Sequence, residues 1–269
     1  MGYSKKTVRE AKNLRIIDDV LFRLMIEQDG VCQEILRTLL DDEELIVKSV
    51  KAQEQEVSLR REVVFDAKCI LGDGTYCDIE MQKTDSENDI KRVRFHASIM
   101  TTNNTPKGTD FDDIPNVKVL YVTEYDALGT GQAVTHISRC QLKGKRYLPV
   151  DDGEDIIFAY TGSKQRNKQA YLLRLFLRKE SFMDEQYPKL SAAMKHFKDT
   201  EGGQGKVCKS IELYAKEYAE EYAKECAYEK SLTHVNALMD KLDLSLEKVM
   251  NLLDLSEDEQ SYILNNIQK

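Results

Sequence analysis

VVFDAKCILGDGTYCDIEMQ, residues 63–82, alternates apolar and polar positions on both sides of a Gly-rich turn. Side chains of a β-strand point to opposite faces in turn, so each half reads as a strand with one apolar face. Phe65, Ala67 and Cys69 share a side in the first half, and Asp66 and Lys68 face away. In the second half Cys77, Ile79 and Met81 share a side, and Asp78, Glu80 and Gln82 form the polar one.

The two apolar sets must coincide, because a slip by one residue exposes one of them. A two-residue turn at Asp73-Gly74 sets Asp66 opposite Met81 and mixes the faces. A three-residue loop, Gly72-Asp73-Gly74, sets Asp66 opposite Glu80, Lys68 opposite Asp78 and Cys69 opposite Cys77. Only this second register keeps the faces consistent, and a left-handed Gly suits such a loop. Asp66 and Glu80 are then cross-strand neighbours, and like charges in that position destabilise a sheet. A divalent cation reverses the sign of that interaction; Mg²⁺ takes one or two carboxylates and keeps its other positions for water and phosphate oxygens. The plainer alternative is a solvated acidic edge with Asp78 paired to Lys68, and spacing alone leaves both open.

An Asp, a hairpin of this length and then Glu-x-Lys is the signature of the PD-(D/E)XK nuclease fold. This chain has Asp66 and Glu80-Met81-Gln82, with Gln where Lys is usual. DIEMQ (78–82) with KRVRFHASIM (91–100) resembles the Rpn-like recombination-promoting nucleases, the PD-(D/E)XK family transposases. Their first-helix pattern D-x-x-F-K is met by Asp19, Phe22 and Arg23, with Arg for Lys. TEYDALGTGQAVTHISR (123–139), the DDG at 151–153 and MKHFKDTEGGQGKVC (194–208) extend the resemblance from about residue 15 to 210.

The resemblance implies Asp66 and Glu80 as metal ligands, with the Met81 carbonyl a third, around Mg²⁺ or Mn²⁺. It places Gln82 where a Lys orients the attacking water; an amide holds water but carries no charge. Lys68 is a candidate source of that charge, against a Lys68–Asp78 pair. Asp19 is a further carboxylate or a helix cap. Arg92 and Arg94 are candidate phosphate clamps, but two residues apart they cannot share one helix face, so at most one enters the site. His96 stands where the family often has an aromatic residue, and a surface or half-buried histidine is expected there.

The rest of the chain fits a restriction-endonuclease-like α/β core, a mixed sheet flanked by helices, with a C-terminal helical appendage. Residues 19–40 read as two helices broken near Asp29-Gly30, 46–50 as a connecting strand or turn, and 87–101 as a helix with Ile90, Val93, Ala97 and Met100 on one side. Strands are expected at 117–126, in GQAVTHISRCQL (131–142) and in DIIFAYTG (155–162), with a turn at 149–153. Helices follow at 168–180 and 185–199. After TEGGQGK (200–206) one long helix is expected over 207–230, its Tyr214, Tyr218 and Tyr222 four residues apart, and then two short helices. The division is 1–200 for the nuclease-like domain and 201–269 for the helical region.

With a net charge of −8 the surface is not one coated in nucleic acid, although residues 1–15 and 164–179 are locally basic. Six cysteines without a CxxC pair suggest reduced thiols and a cytoplasmic protein. The four histidines form no HxxxH pair, which argues against zinc. No apolar run approaches the ~20 residues of a membrane span, and no secretory signal is seen at the N-terminus. The expectation is a metal-dependent DNA endonuclease of a mobile element or recombination system, with a homo-oligomer through the C-terminal helix. The rival is a degenerate relative that binds DNA or protein through that helical region and cuts nothing.

Overall fold

The computed structural model describes residues 3–57, 62–85 and 89–267. In chain order the elements are helices α1 (Lys5–Asn13), α2 (Asp19–Ile26) and α3 (Val31–Leu39), strands β1 (Val47–Val57), β2 (Glu62–Leu71) and β3 (Tyr76–Gln82), helix α4 (Asp89–Asn103), and strands β4 (Val117–Thr123), β5 (Val134–Ile137), β6 (Cys140–Lys143), β7 (Arg146–Pro149) and β8 (Glu154–Tyr160). Helices α5 (Lys168–Leu175), α6 (Pro188–Asp199), α7 (Glu201–Leu242), α8 (Leu246–Leu252) and α9 (Glu257–Asn266) complete the chain. Two compact units divide it, Met1–Ser210 and Ile211–Lys269. Among the described residues no helix is long and apolar enough to cross a membrane.

The first unit is a six-stranded mixed sheet in the order β1-β2-β3-β4-β8-β5. The hairpin has the expected register, with Lys68 opposite Asp78 and Cys69 opposite Cys77. The following β3–α4–β4 segment is a parallel crossover. β8 continues the parallel run and β5 closes the edge antiparallel. Such central strands are covered on both faces and so read as apolar runs, as VKVLYVT does. Val93, Ala97 and Met100 of α4 pack on Phe65, Val119, Tyr121 and Phe158, whereas Ile90 is exposed. Residues 87 and 88 of the expected helix lie outside the described residues.

One expected face assignment is corrected. Phe65 packs edge-on against His96 of α4, while Cys69 lies beside Cys32 of α3. Those are opposite faces of the sheet, because Cys77 neighbours Cys69 and the adjacent Asp78 meets His96. Strict alternation over residues 65–69 therefore fails. The reversal falls at Asp66, and in the β1–β2 ladder the facing residue is Gln53, skipped between the Ala52↔Ala67 and Glu54↔Phe65 pairs. Gln53 has φ 55°, a left-handed backbone that costs a non-glycine residue.

Other differences have local causes. The connection expected at 46–50 is the start of an eleven-residue strand. Residues 140–149 form a separate two-stranded sheet, β6 with β7. Helix α7 starts at Glu201 and runs through TEGGQGK, which composition marks as a loop. Thr200 caps it, its hydroxyl accepting from the Gly203 N–H at 3.0 Å. A Cβ on Gly203 would lie 2.0 Å from the His196 carbonyl oxygen of α6. The glycine is thus fixed by close backbone approach, not by turn formation.

In the second unit α7, α8 and α9 share a small core of Val235, Val249, Met250 and Ile263. The tetrapeptide LDLS recurs at 242–245 and 253–256. In each copy the Asp adopts φ near +50° (Asp243 51°, Asp254 49°) and the Ser occupies the N-cap position of the next helix, with a capping side-chain bond only at Ser256. Asp tolerates that conformation better than most residues. Ser256 and Glu259 complete the expected capping box. Tyr214, Tyr218 and Tyr222 are exposed along α7; self-association through this helix gains no support.

The glycines give a paired test. Gly203→Ala should lower the free energy of unfolding by about 1–3 kcal/mol through overpacking. Gly205→Ala, with nothing near the added methyl, should raise it by about 0.5–1 kcal/mol through helix propensity. Urea denaturation of the two variants beside the wild type checks both signs.

Candidate active site

The β2–β3 ladder runs from Ile70↔Tyr76 to Ala67↔Ile79. At the next position the two side chains take over the bonding. Glu80 Oε1 accepts from the Asp66 N–H at 3.1 Å, and Asp66 Oδ2 accepts from the Met81 N–H at 2.9 Å. Each acid thus holds the backbone of the other strand. Asp66 and Glu80 are brought together as the register requires, locked by their backbones.

Period-two spacing puts Asp78 on the same face as Glu80, and α4 covers both. Asp78 is 0 % exposed, Glu80 2 % and His96 6 %. His96 Nδ1 lies 3.2 Å from Asp78 Oδ2 and 3.6 Å from Glu80 Oε1. Donor atoms of all three residues fall within 4.8 Å of one another. Asp78 Oδ1 has no hydrogen-bond donor among the described residues; a proton shared with Glu80 or a cation would satisfy it.

Two arginines flank the acids. Arg92 lies four residues before His96, hence on the same face of α4, and its guanidinium is 3.8 Å from Glu80 Oε2. Arg23 of α2 binds Asp19 at 2.8 Å and stands 3.9 Å from Asp66 Oδ1. The D-x-x-F-R pattern thereby gains a physical meaning. Phe22 is fully buried and anchors α2, while Asp19 holds Arg23 toward Asp66. The N-cap position falls on Asp18, not Asp19, and the Asp18 carboxylate is taken by Lys83 at 2.8 Å rather than by the helix backbone.

Burial and mutual repulsion dominate the electrostatics. Burial, then the charge of Asp19, pushes Asp66 up to about 7. Asp78 and Glu80 are raised well above the ordinary carboxylate range by burial and then by neighbouring acids. The neighbouring arginines and histidine offset only part of this.

Other residues singled out from the sequence are placed elsewhere. Lys68 is buried in an ion pair with Glu56, with Asn104 Oδ1 at 3.3 Å, and does not bind Asp78 or reach toward Glu80. Gln82 Nε2 donates to the Thr84 carbonyl at 2.8 Å, at the rim. Arg94 is exposed on α4, away from the face that carries Arg92 and His96. Met81 has a buried side chain and contributes its N–H to Asp66. Asp78 and His96 are the two site residues that spacing did not single out as ligands. Their signals were the shared strand face with Glu80 and the four-residue step from Arg92.

Residues 17–143 match the family model described as PD-(D/E)XK nuclease family transposase. The matched segment contains Asp19, Arg23, Asp66, Asp78, Glu80, Arg92 and His96. No curated protein and no solved structure matched the chain.

The raised Asp66 value fixes a pH dependence. Between its ordinary 3.8 and about 7, folded protein holds a proton that the unfolded chain has released. Stability of the chelator-treated protein should therefore fall as pH rises through that window, by up to roughly 1.4 kcal/mol per pH unit. Urea midpoints measured from pH 4.5 to 7.5 should decline, and Asp66→Asn should flatten part of the slope.

Proposed function

We propose that this chain, whose residues 17–143 match the model of the PD-(D/E)XK nuclease family transposases, is a metal-dependent DNA endonuclease. It would hydrolyse phosphodiester bonds in recombination or mobile-element processing, in the cytoplasm. The observation that carries the reading is the Asp66–Glu80 exchange at the splayed end of β2 and β3. It holds two acids together at a cost in repulsion that a structural role alone does not repay.

The residues fit a divalent cation. The buried Asp78 and Glu80 and the half-buried Asp66 face two partly occupied arginines, and one Asp78 oxygen has no donor among the described residues. Asp66, Glu80 and the Met81 carbonyl would hold Mg²⁺ or Mn²⁺. When bound, such an ion supplies a hydroxide-like nucleophile at neutral pH and neutralises phosphoryl charge.

The chain's own residues do the rest. Arg92, with 44 % of its side chain exposed, is free to take a phosphate oxygen as the DNA backbone enters. Arg23, held by Asp19, keeps Asp66 oriented and acts as a positioning residue. Gln82 at the rim holds a water by hydrogen bonding and leaves the positive charge to Arg92. Lys68, engaged by Glu56, takes no part, and Arg94 meets DNA only outside the site.

Nicking of supercoiled plasmid in millimolar Mg²⁺ or Mn²⁺ tests this. Asp66→Ala and Glu80→Ala should each lower the rate by on the order of a hundredfold or more. Arg92→Ala should lower it by roughly a hundredfold. If Asp66→Ala and Glu80→Ala nick as the wild type does, or if the wild type does not nick, the reading is lost to that of a non-cutting DNA- or protein-binding relative.

A further inference from the structure

We propose that Asp78, Glu80 and His96 form a binding site selective for a transition-metal dication of the Mn²⁺, Co²⁺ or Zn²⁺ class over Mg²⁺. It lies deeper than the Asp66 pair and shares Glu80 with it. It uses the nuclease reading only for that shared residue.

The donor set decides the class of ion. Mg²⁺ takes oxygen ligands and keeps much of its water. An imidazole nitrogen beside two carboxylates suits first-row transition metals. The spacing fits as well. Three bonds of about 2.0–2.2 Å to one ion place the donor atoms roughly 3.0–3.6 Å apart. His96 Nδ1 is 3.2 Å from Asp78 Oδ2 and 3.6 Å from Glu80 Oε1.

A second observation points to a ligand. Asp78 is fully buried, and among the described residues its Oδ1 has no hydrogen-bond partner. A buried carboxylate in that state is costly unless a cation or a shared proton compensates it. The framework is also set in advance. Asp78 and Glu80 come from a strand paired on both sides. His96 is held by the α4 backbone, with its ring edge-on to Phe65 at 5.5 Å between centroids. The donor atoms of the three residues already lie within 4.8 Å of one another, so the fold brings them close before any ion binds.

The test is pulsed EPR of Mn²⁺ bound to the full chain, with Mg²⁺ competition followed by titration. The wild type should show ¹⁴N coupling from a directly bound imidazole and should retain Mn²⁺ against a tenfold or greater excess of Mg²⁺. His96→Gln should abolish the coupling and weaken Mn²⁺ binding by on the order of 10–100-fold. Asp78→Asn should weaken Mn²⁺ similarly. His136→Gln, a change at an exposed histidine on β5, should leave the signal intact. Asp66→Ala should stop nicking while the ¹⁴N-coupled signal remains, which separates this proposal from the nuclease reading. Wild-type Mn²⁺ bound without nitrogen coupling, or bound no better than Mg²⁺, would overturn it whatever the outcome of the nicking assay.

Discussion

Two carboxylates replace two rungs of a β-ladder, and the rest of the site follows from that substitution. Up to Ala67 and Ile79 the hairpin is held by backbone pairing. Beyond them Asp66 and Glu80 bond to the opposite strand's N–H groups. The strands can then part without leaving buried donors unsatisfied, which is the usual penalty for ending a ladder inside a protein. The same point is where the sheet reverses its faces, with Gln53 in a left-handed conformation across from Asp66. Strain of this kind persists only where surrounding structure over-determines it. Here the surroundings are the two carboxylate bonds, the Glu27 side chain accepting from the Ala52 N–H at 2.9 Å, and the Phe65 ring wedged against His96.

The charges around this point are arranged in pairs of unequal quality. Lys68 and Glu56 form a buried ion pair at the far end of α4, extended by Asn103 and Asn104. That pair is satisfied and structural. The acids near the split are not matched in this way. Arg92 and Arg23 stand at 3.8 and 3.9 Å from them, outside good hydrogen-bond distance. One cation is itself held back by Asp19. A stable protein with no further task would gain by replacing Asp78 with an apolar residue of similar size. Its retention beside Glu80 and a buried histidine is a local departure from stability of the sort found at functional sites.

Hairpin register was legible in the sequence because one constraint, agreement of apolar faces, excluded the alternative turn. The parallel strand at 117–123 and the helix break at Gly30 were legible for similarly local reasons, an apolar run and a glycine with φ 75°. The face of Phe65 was not, because alternation assumes an unbroken strand and the break is a tertiary event involving β1. The start of α7 was not, because three glycines signal a loop unless a neighbouring helix demands their lack of side chain. His96 is buried rather than at the surface or half-buried, as the sequence led one to expect. The shape of α4 was right, but which turn of it would cover β3 depends on how the crossover packs. The small β6–β7 sheet escaped because its residues are nearly all exposed and carry no apolar alternation.

The departure at Gln82 becomes intelligible once the cations are counted by position. The strand's last residue points to the rim, where its amide meets the Thr84 carbonyl. The next residue, Lys83, is already committed to Asp18, and Asp18 in turn holds the Arg15 N–H at 2.6 Å. Arg15 pairs with Glu124 at the end of β4, so this network ties the α1–α2 connection to the ends of two strands. Positive charge beside Glu80 instead comes from Arg92 on the covering helix. An arginine there is always charged and offers a planar fork to phosphate, whereas a lysine buried among acids would be a point charge. Under the proposed nuclease reading, the chain would divide between two elements what one lysine could do, with water orientation left to the uncharged Gln82 amide and phosphate charge to the Arg92 guanidinium.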